Sequence, residues 1–423
     1  WLGDRMSRWL LIGVGVILWS LASGASGLAT GYAMLLITRC FVGVGEAAYG
    51  PVAPTVIADL YPVRVRGSKL AWFYAAIPVG TALGYAVGGL FADSSLGWRW
   101  AFYCAVPPGF LLGVWCFLMR EPPRGQAEDA PAASEHTARL QDIWVLKAIP
   151  SYVLDTLGMA AMTFALGGMA AWMPTYIFEQ QTRIELTDQV LRDLGDPAKP
   201  PAVPESVVRR LEDLRGRVYG LQEFKDQLKS RLSREELEKY EEHIQDLAAN
   251  PSLGKISMIF GAIVVVSGLG ATLLGGVMGD ALRSRFAGSY FLVSGVSMLL
   301  GFPLVLLVLW ATSPLAVWIF IFLAVFCLFF NTGPTNTILA NVTPAAIRSS
   351  AFAVNIFLIH LLGDAISPVI IGGIADFSNK KVAFAVVSAI ILVGGVLWLW
   401  GARYLQRDTQ LAPTRLGPAA TEG

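Results

Sequence analysis

The sequence predicts an all-α polytopic membrane protein whose spanning helices form two bundles. Three observations carry that expectation. The 423 residues are 55% hydrophobic and only 15% charged, with a mean hydropathy of +0.56, whereas soluble domains carry about 25% charged residues. Ten apolar windows are each long enough to cross a bilayer as a helix. Segments of the first part recur in the second at a nearly constant spacing.

In chain order the windows are residues 9–29, 32–60, 69–92, 99–119, 150–178, 255–277, 287–311, 314–340, 350–375 and 382–404. Positive charge sorts the loops. With both ends of the chain in the cytoplasm, Arg5, Arg8, Arg64, Arg66, Lys69, Arg120, Arg124, Arg283, Arg285, Arg348, Arg403 and Arg407 all lie on that side. The opposite short loops near 30 and 312 carry no Lys or Arg. The positive-inside rule favours this orientation, and a multi-pass protein of a bacterial inner membrane is expected. Cys40, Cys104, Cys116 and Cys327 all fall in apolar spans without metal-ligand spacing, so they read as packing residues. A net charge of +1 predicts no nucleic-acid partner.

The domain reading follows from the windows. Residues 1–119 form an N-terminal bundle with four spans, and 150–404 a C-terminal bundle with six. Residues 120–149 form a cytoplasmic linker, made flexible at its start by Pro122, Pro123 and Gly125. Arg139 to Lys147 is expected to be a short amphipathic helix along the membrane surface. Residues 179–254 form an extracytoplasmic insertion that opens on Pro197, Pro200, Pro201 and Pro204 and continues as a charged helical hairpin. Within it Ser233-Arg-Glu-Glu236 fits a capping box. Residues 405–423 are a cytoplasmic tail.

The repeat has three members. Gly3-Asp-Arg-Met-Ser-Arg8 matches Gly279-Asp-Ala-Leu-Arg-Ser-Arg285. Asp59-Leu-Tyr-Pro62 with Arg66 matches Asn341-Val-Thr-Pro344 with Arg348. Gly88-Gly89 with Asp93 matches Gly372-Gly373 with Asp376. The offsets are 276, 282 and 284 residues. Parallel six-span repeats are the architecture of two-bundle secondary transporters. The second half has two spans before its Gly-Asp loop and the first half has none, so two upstream spans are expected to be absent from a twelve-span plan.

With these motifs in hand, the chain resembles the major facilitator superfamily in its Gly-Asp-Arg loops and in Arg39-x-x-x-Gly43-x-Gly45. More narrowly, three motifs resemble the Spinster branch. They are Gly43-Val-Gly-Glu46-Ala-Ala-Tyr49, Tyr74-x-x-x-Pro78-Val-Gly80 with Gly84-Tyr85, and His360-Leu-Leu-Gly-Asp364-Ala-Ile-Ser-Pro368. The resemblance implies a major facilitator-like two-bundle fold with ten of twelve helices present, and a carrier of sphingolipids or lysophospholipids. The branch also keeps an Asp-Arg pair in its first span, which this sequence does not contain.

Arg39 and Glu46 are charges inside an apolar run, each costing about 2.5–3.5 kcal/mol near a bilayer centre on insertion scales. Seven residues are two helical turns, so both side chains face one way, with Gly43 between them. Their repeat positions are Ile321 and Leu328, so only one half carries the charges. That asymmetry favours proton coupling by Glu46, tuned by Arg39, over the alternative of a structural ion pair. His360 and Asp364, one turn apart, also lack charged counterparts, and with Asn355 they are expected at a substrate cavity.

Tyr49, Tyr74, Tyr85 and Trp172 pair an apolar ring with a polar tip, which suits an amphiphilic ligand. Plain packing is the competing reading for each. Asn331, Thr335 and Asn336 give another span a polar inner end. The resemblance assigns the Gly-Asp loops to a cytoplasmic gate. Asp4 and Asp280 are placed to satisfy helix N-terminal amides, and Arg5, Arg8, Arg283 and Arg285 to pair with carboxylates. Asp59, Arg66, Arg348 and Asp155 complete the expected gate.

The function expected is a secondary active transporter, proton-coupled, moving an amphiphilic lipid by alternating access as a monomer among membrane lipids. The alternative is a proton-coupled carrier of a small organic anion or drug. The sequence holds no His-Glu-x-x-His, Gly-x-Ser-x-Gly or phosphate loop, so neither an enzyme nor a cofactor is expected.

Overall fold

Helices form where the apolar windows are, and prolines divide them. The computed structural model describes residues 1–92, 96–127, 138–196 and 201–416. Asp93 and the opening prolines Pro197 and Pro200 lie outside the described residues, as does the side chain of Tyr85. The chain divides into two compact units, Trp1–Gly168 together with Ile263–Gly423, and Met169–Ala262.

The first unit opens with α1 (Leu2–Arg5) and α2 (Arg8–Gly27), followed by α3 (Tyr32–Tyr49) and α4 (Ala53–Leu60). Pro51 interrupts the run between α3 and α4, because a proline ring cannot continue a helix without a clash one turn back. α5 (Val63–Tyr74) and α6 (Ala76–Ala92) meet at Ala75. α7 (Arg99–Tyr103) and α8 (Val106–Cys116) are divided just before Pro107 and Pro108. The third and fourth expected spans are thus each broken into two helices. A 3-10 helix, Leu140–Ala148, leads to α9 (Pro150–Gln181).

α10 to α13 belong to the second unit, and α14 (Leu253–Arg283) returns to the first. There follow α15 (Ser289–Trp310), α16 (Pro314–Phe329), α17 (Thr332–Val342), α18 (Arg348–Ile359), α19 (Ser367–Phe377), α20 (Lys380–Gly401) and α21 (Leu405–Leu411). Among the described residues, eight helical stretches are long and apolar enough to cross a membrane.

Ile12, Val16, Val52, Ala53 and Val56 form a buried cluster, with Trp9, Trp19 and Tyr49 packed on it. α2 and α3 approach closely at glycine. A Cβ on Gly45 would lie 2.7 Å from both the Trp19 Cβ and the Gly15 carbonyl oxygen, so only a residue without a side chain fits.

The second unit corrects the expected helical hairpin. It holds four helices, α10 (Asp188–Gly195), α11 (Glu205–Leu211), α12 (Leu221–Arg231) and α13 (Arg234–Ala248), and a small antiparallel sheet. Its strands are β1 (Arg183–Glu185), β2 (Val218–Gly220) and β3 (Ala249–Asn250), in spatial order β2-β1-β3, with Ile184 opposite both Tyr219 and Ala249. The sheet pins the two ends of the insertion side by side. Ile184, Leu194, Leu211, Phe224, Leu228 and Ile244 are completely buried and form its core. The capping box is present: the Ser233 amide donates to Glu236 Oε2 at 2.8 Å, and the Glu236 amide to Ser233 Oγ at 3.3 Å.

Candidate functional site

The Gly-Asp loops of the repeat carry the densest polar network in the first unit. Asp4 accepts the backbone amides of Ser349 and Ser350, each at 2.8 Å, and the Ser350 hydroxyl at 2.5 Å. These are the free amides at the start of α18, and an acceptor there also meets the positive end of the helix dipole. Asp280 reaches α5 in the same crossed fashion, one turn inside its start. It accepts the amides of Gly67 at 3.1 Å and Ser68 at 2.7 Å, and the Ser68 hydroxyl at 2.5 Å. Tyr290 adds a hydroxyl donated to Asp280 Oδ1 at 2.7 Å. Each half of the repeat therefore sends a carboxylate to backbone amides of a helix in the other half.

The arginines cross over in the same way. Arg66 Nη1 donates to Asn341 Oδ1 at 2.7 Å, and Arg348 Nη1 to Asp59 Oδ1 at 2.9 Å. Asp59 also pairs with Arg8 through Oδ2 and accepts the Gly125 amide at 2.9 Å. Arg8, Asp59, Arg66 and Arg348 are each at most 2% exposed. A charge buried this deeply is tolerated because each has a partner.

The linker start is held in place, which corrects the expected flexibility. Glu121 takes Arg8 Nε at 2.6 Å, the Arg8 amide at 3.0 Å and the Ser7 hydroxyl at 3.1 Å. Arg124 donates to the carbonyls of Gly3 at 2.9 Å and Met6 at 3.0 Å. Burial and the neighbouring Arg8 charge pull the Arg124 guanidinium below its usual range. Pro122 and Pro123 stiffen this segment instead of loosening it.

Four expected gate residues stand apart from this network. Arg5 lies over the Trp1 ring at 4.9 Å, and Arg285 is exposed and forms no ion pair among the described residues. Arg283 sits 5.6 Å from the Tyr290 ring centroid. Asp155 is fully buried on α9, and its carboxylate oxygens have no hydrogen-bond partner among the described residues. Its main-chain carbonyl accepts from Trp398 Nε1 at 3.3 Å.

Arg39 and Glu46 lie on the uninterrupted α3, so the seven-residue spacing does put them on one side. Both are exposed, and a Cβ on Gly43 between them would meet nothing within 4 Å. No ion pair joins them among the described residues. Arg39 instead donates to Ser26 Oγ on α2, at 3.2 Å from Nε and 2.6 Å from Nη2, and stacks over Phe102 at 5.2 Å. The Glu46 carboxylate is left without a partner among the described residues.

His360 and Asp364 do pair: Nδ1 lies 2.9 Å and 3.0 Å from the two carboxylate oxygens. They occupy a single wide turn, His360–Asp364, closed by the Ala365 amide donating to the His360 carbonyl at 3.1 Å. Such π-type turns recur at functional sites. The turn packs against α9, where a Cβ on Gly363 would lie 3.0 Å from the Thr163 Cβ.

Five of the remaining expected cavity residues, Tyr49, Tyr74, Asn331, Asn336 and Asn355, are held in contacts within the protein. Tyr49 meets Trp19 at 5.1 Å and Phe73 at 5.9 Å, and Phe73 meets Tyr74 at 5.0 Å, one continuous aromatic stack. Asn331 donates to the Leu328 carbonyl at 2.7 Å, at the end of α16, and Asn336 to the Thr332 carbonyl at 2.8 Å, in the first turn of α17. Asn355 ties α18 to Thr156 on α9 at 3.0 Å. Trp172 belongs to the second unit.

Comparison with known proteins gives this geometry a context. Residues 1–187 match the family described as Major Facilitator Superfamily. The chain is similar to Protein spinster homolog 3 of Danio rerio, at 31% identity over 97% of this chain and 75% of that protein. It is also similar to the Danio rerio sphingosine-1-phosphate transporter SPNS2, at 28% identity over 99% and 76%. Among solved structures, the inward-facing, occupied bacterial homolog of the human lysosomal transporter Spinster aligns with a TM-score of 0.55. It is 17% identical, covering 96% of this chain and 85% of that one. The proton:xylose symporter XylE aligns with a TM-score of 0.62 at 14% identity, over 96% and 84%. At these identities the two structures establish the fold.

Proposed function

This chain belongs to the Spinster branch of the major facilitator superfamily, and we propose on that footing that it is a proton-coupled carrier of an amphiphilic lipid. It is a multi-pass integral membrane transporter and not an enzyme. The lipid is of the lysophospholipid or sphingolipid class, and the SPNS2 relative is named as a sphingosine-1-phosphate transporter. Transport runs by alternating access, and the protein works as a monomer in a bacterial inner membrane with both ends of the chain in the cytoplasm.

The observation that supports this reading best is the reciprocal exchange between halves: Asp4 to the start of α18, and Asp280 to the α5 amides of Gly67 and Ser68. Contacts that tie two halves at one end can be made in one state and released in another, which biases a two-state equilibrium. Proton coupling is assigned to Glu46, an unpaired carboxylate on an open helix face, with Arg39 nearby on the same helix.

The test is flux into proteoliposomes holding the full-length protein. An imposed pH gradient is expected to drive saturable movement of lysophosphatidylcholine or sphingosine-1-phosphate. Competing small organic anions are expected to leave that flux unchanged. Lipid movement indifferent to the gradient, or blocked by the anions, would overturn the proposal.

A further inference from the structure

An apolar groove of about 610 Å³ lies between the Leu140–Ala148 helix, the start of α9 and α18. Its walls include Leu146, Val153, Leu157, Val354 and Phe357. The volume falls in the range of small-molecule sites. We propose that this groove holds one phospholipid with an anionic headgroup, drawn from the leaflet that the linker helix faces.

Three features identify the occupant. The walls are contributed by α9 and α18, both parts of membrane-spanning stretches, so the medium at the groove is the bilayer. Hydrocarbon meeting Phe357, which is 63% exposed, adds apolar contact where no protein side chain covers it. The rim carries Trp144, 65% exposed, with the Lys147 ammonium 3.9 Å from its ring centroid. Tryptophan with an adjacent cation is the side-chain signature of the headgroup level.

The charge at the rim is free for a ligand. Lys147 is the single charged residue lining the groove among the described residues, and it has no carboxylate partner among them. The nearby acid, Asp142, accepts the Arg139 amide at 2.7 Å and so caps the linker helix. Polar groups on the inner wall are already satisfied within the protein: Tyr152 donates its hydroxyl to the Ala351 carbonyl at 2.8 Å, and Thr156 accepts from Asn355 at 3.0 Å. What remains is an apolar slot for an acyl chain and one cation for a phosphate. The inference depends on residence in a membrane and not on what is carried, so it stands or falls separately from the transport reading.

The experiment is native mass spectrometry of the full-length protein in detergent with 1-palmitoyl-2-oleoyl phosphatidylglycerol or the corresponding phosphatidylcholine. One phosphatidylglycerol is expected to be retained in preference to phosphatidylcholine. Lys147→Glu is expected to lower that retention at least about fivefold, equivalent to about 1 kcal/mol for a cation at an anionic surface, and to leave phosphatidylcholine unchanged. Leu157→Trp, which fills the slot, is expected to lower retention of both. Glycerol 1-phosphate, a headgroup without chains, is expected not to compete. Equal retention of the two lipids, indifference to Lys147→Glu, or competition by glycerol 1-phosphate would each overturn the proposal.

Discussion

Arg348 reaches out of the second half of the repeat and places Nη1 2.9 Å from Oδ1 of Asp59 in the first. The same carboxylate holds Arg8 of its own half through its other oxygen. Asp59 is therefore one acceptor shared by two buried cations on different sides of the repeat. Asn341, at the matching position, accepts from Arg66 at 2.7 Å.

Asp59→Asn takes from Arg348 the carboxylate 2.9 Å from its Nη1, while Arg8 keeps Glu121. Breaking one partner of a buried pair costs about 3–5 kcal/mol. The population is expected to move toward a form in which these contacts are open. Val52 is 4% exposed, so a cysteine placed there, with the four native cysteines replaced, is expected to react faster with maleimide in the Asp59→Asn background. Equal labelling rates in the two backgrounds would refute the gating role.

Asp4→Ala removes the cap of α18, at about 0.5–2 kcal/mol, and Asp280→Ala removes the acceptor of two amides in the second turn of α5. Both variants are expected to melt lower than the parent, and their effects to add because they share no partner. Asp280→Ala is expected to lose more, since Tyr290 also donates to Asp280 at 2.7 Å. Melting curves in detergent decide this, and a larger loss for Asp4→Ala would contradict the assignment of contacts.

Glu46→Gln keeps the side-chain shape and removes the proton site. Flux driven by a pH gradient is expected to vanish, with the melting temperature unchanged and lipid exchange without a gradient retained. Undiminished gradient-driven flux in this variant would move proton coupling to another residue.

The insertion supplies a pH prediction with a definite sign. The Arg210 guanidinium and the Ser233 amide hold the Glu236 carboxyl down at about 2, against an ordinary value of 4.5. A lowered native value means the ionised form is favoured by folding. The stabilisation is fully present above about 4.5 and is lost as pH falls toward about 2. Proteolytic resistance of the insertion is expected to be flat from pH 7 to 5 and to decline below pH 4.5, and Arg210→Ala is expected to flatten that decline. An acid decline as steep in Arg210→Ala as in the parent would rule out this pair as its source.

How far the sequence carried the structure depends on the range of the contact. The ten apolar stretches are legible because hydropathy is local, and so is the Ser233–Glu236 cap. The repeat made Asp4, Asp280, Arg66 and Arg348 visible, but not that each serves the opposite half, because a repeat records equivalence and not docking. Glu121 sits between a span and two prolines, and nothing local says that its carboxylate folds back on Arg8. Asp408 escaped the sequence for a similar reason: it accepts the Ser151 amide at 2.9 Å from a segment expected only as a cytoplasmic tail. Ser26, thirteen residues before Arg39, looks like any serine in an apolar helix. Strands of two or three residues are too short to display an alternating pattern.

The wide turn at His360–Asp364 has one more consequence, for what this stretch can tolerate in length. A π-type turn takes in one residue more than an α-turn needs, and each residue rotates a helix by about 100°. The wide turn absorbs that extra residue, so α19 keeps its register, whereas one more residue inserted after the turn, ahead of Ser367, would swing α19 round by about that angle. Ser367 and Ile371, both completely buried, face Gly168 at present, and such an insertion would carry them off it. Substitutions within the turn change its chemistry, whereas a single-codon insertion after it would turn the wrong side of α19 inward.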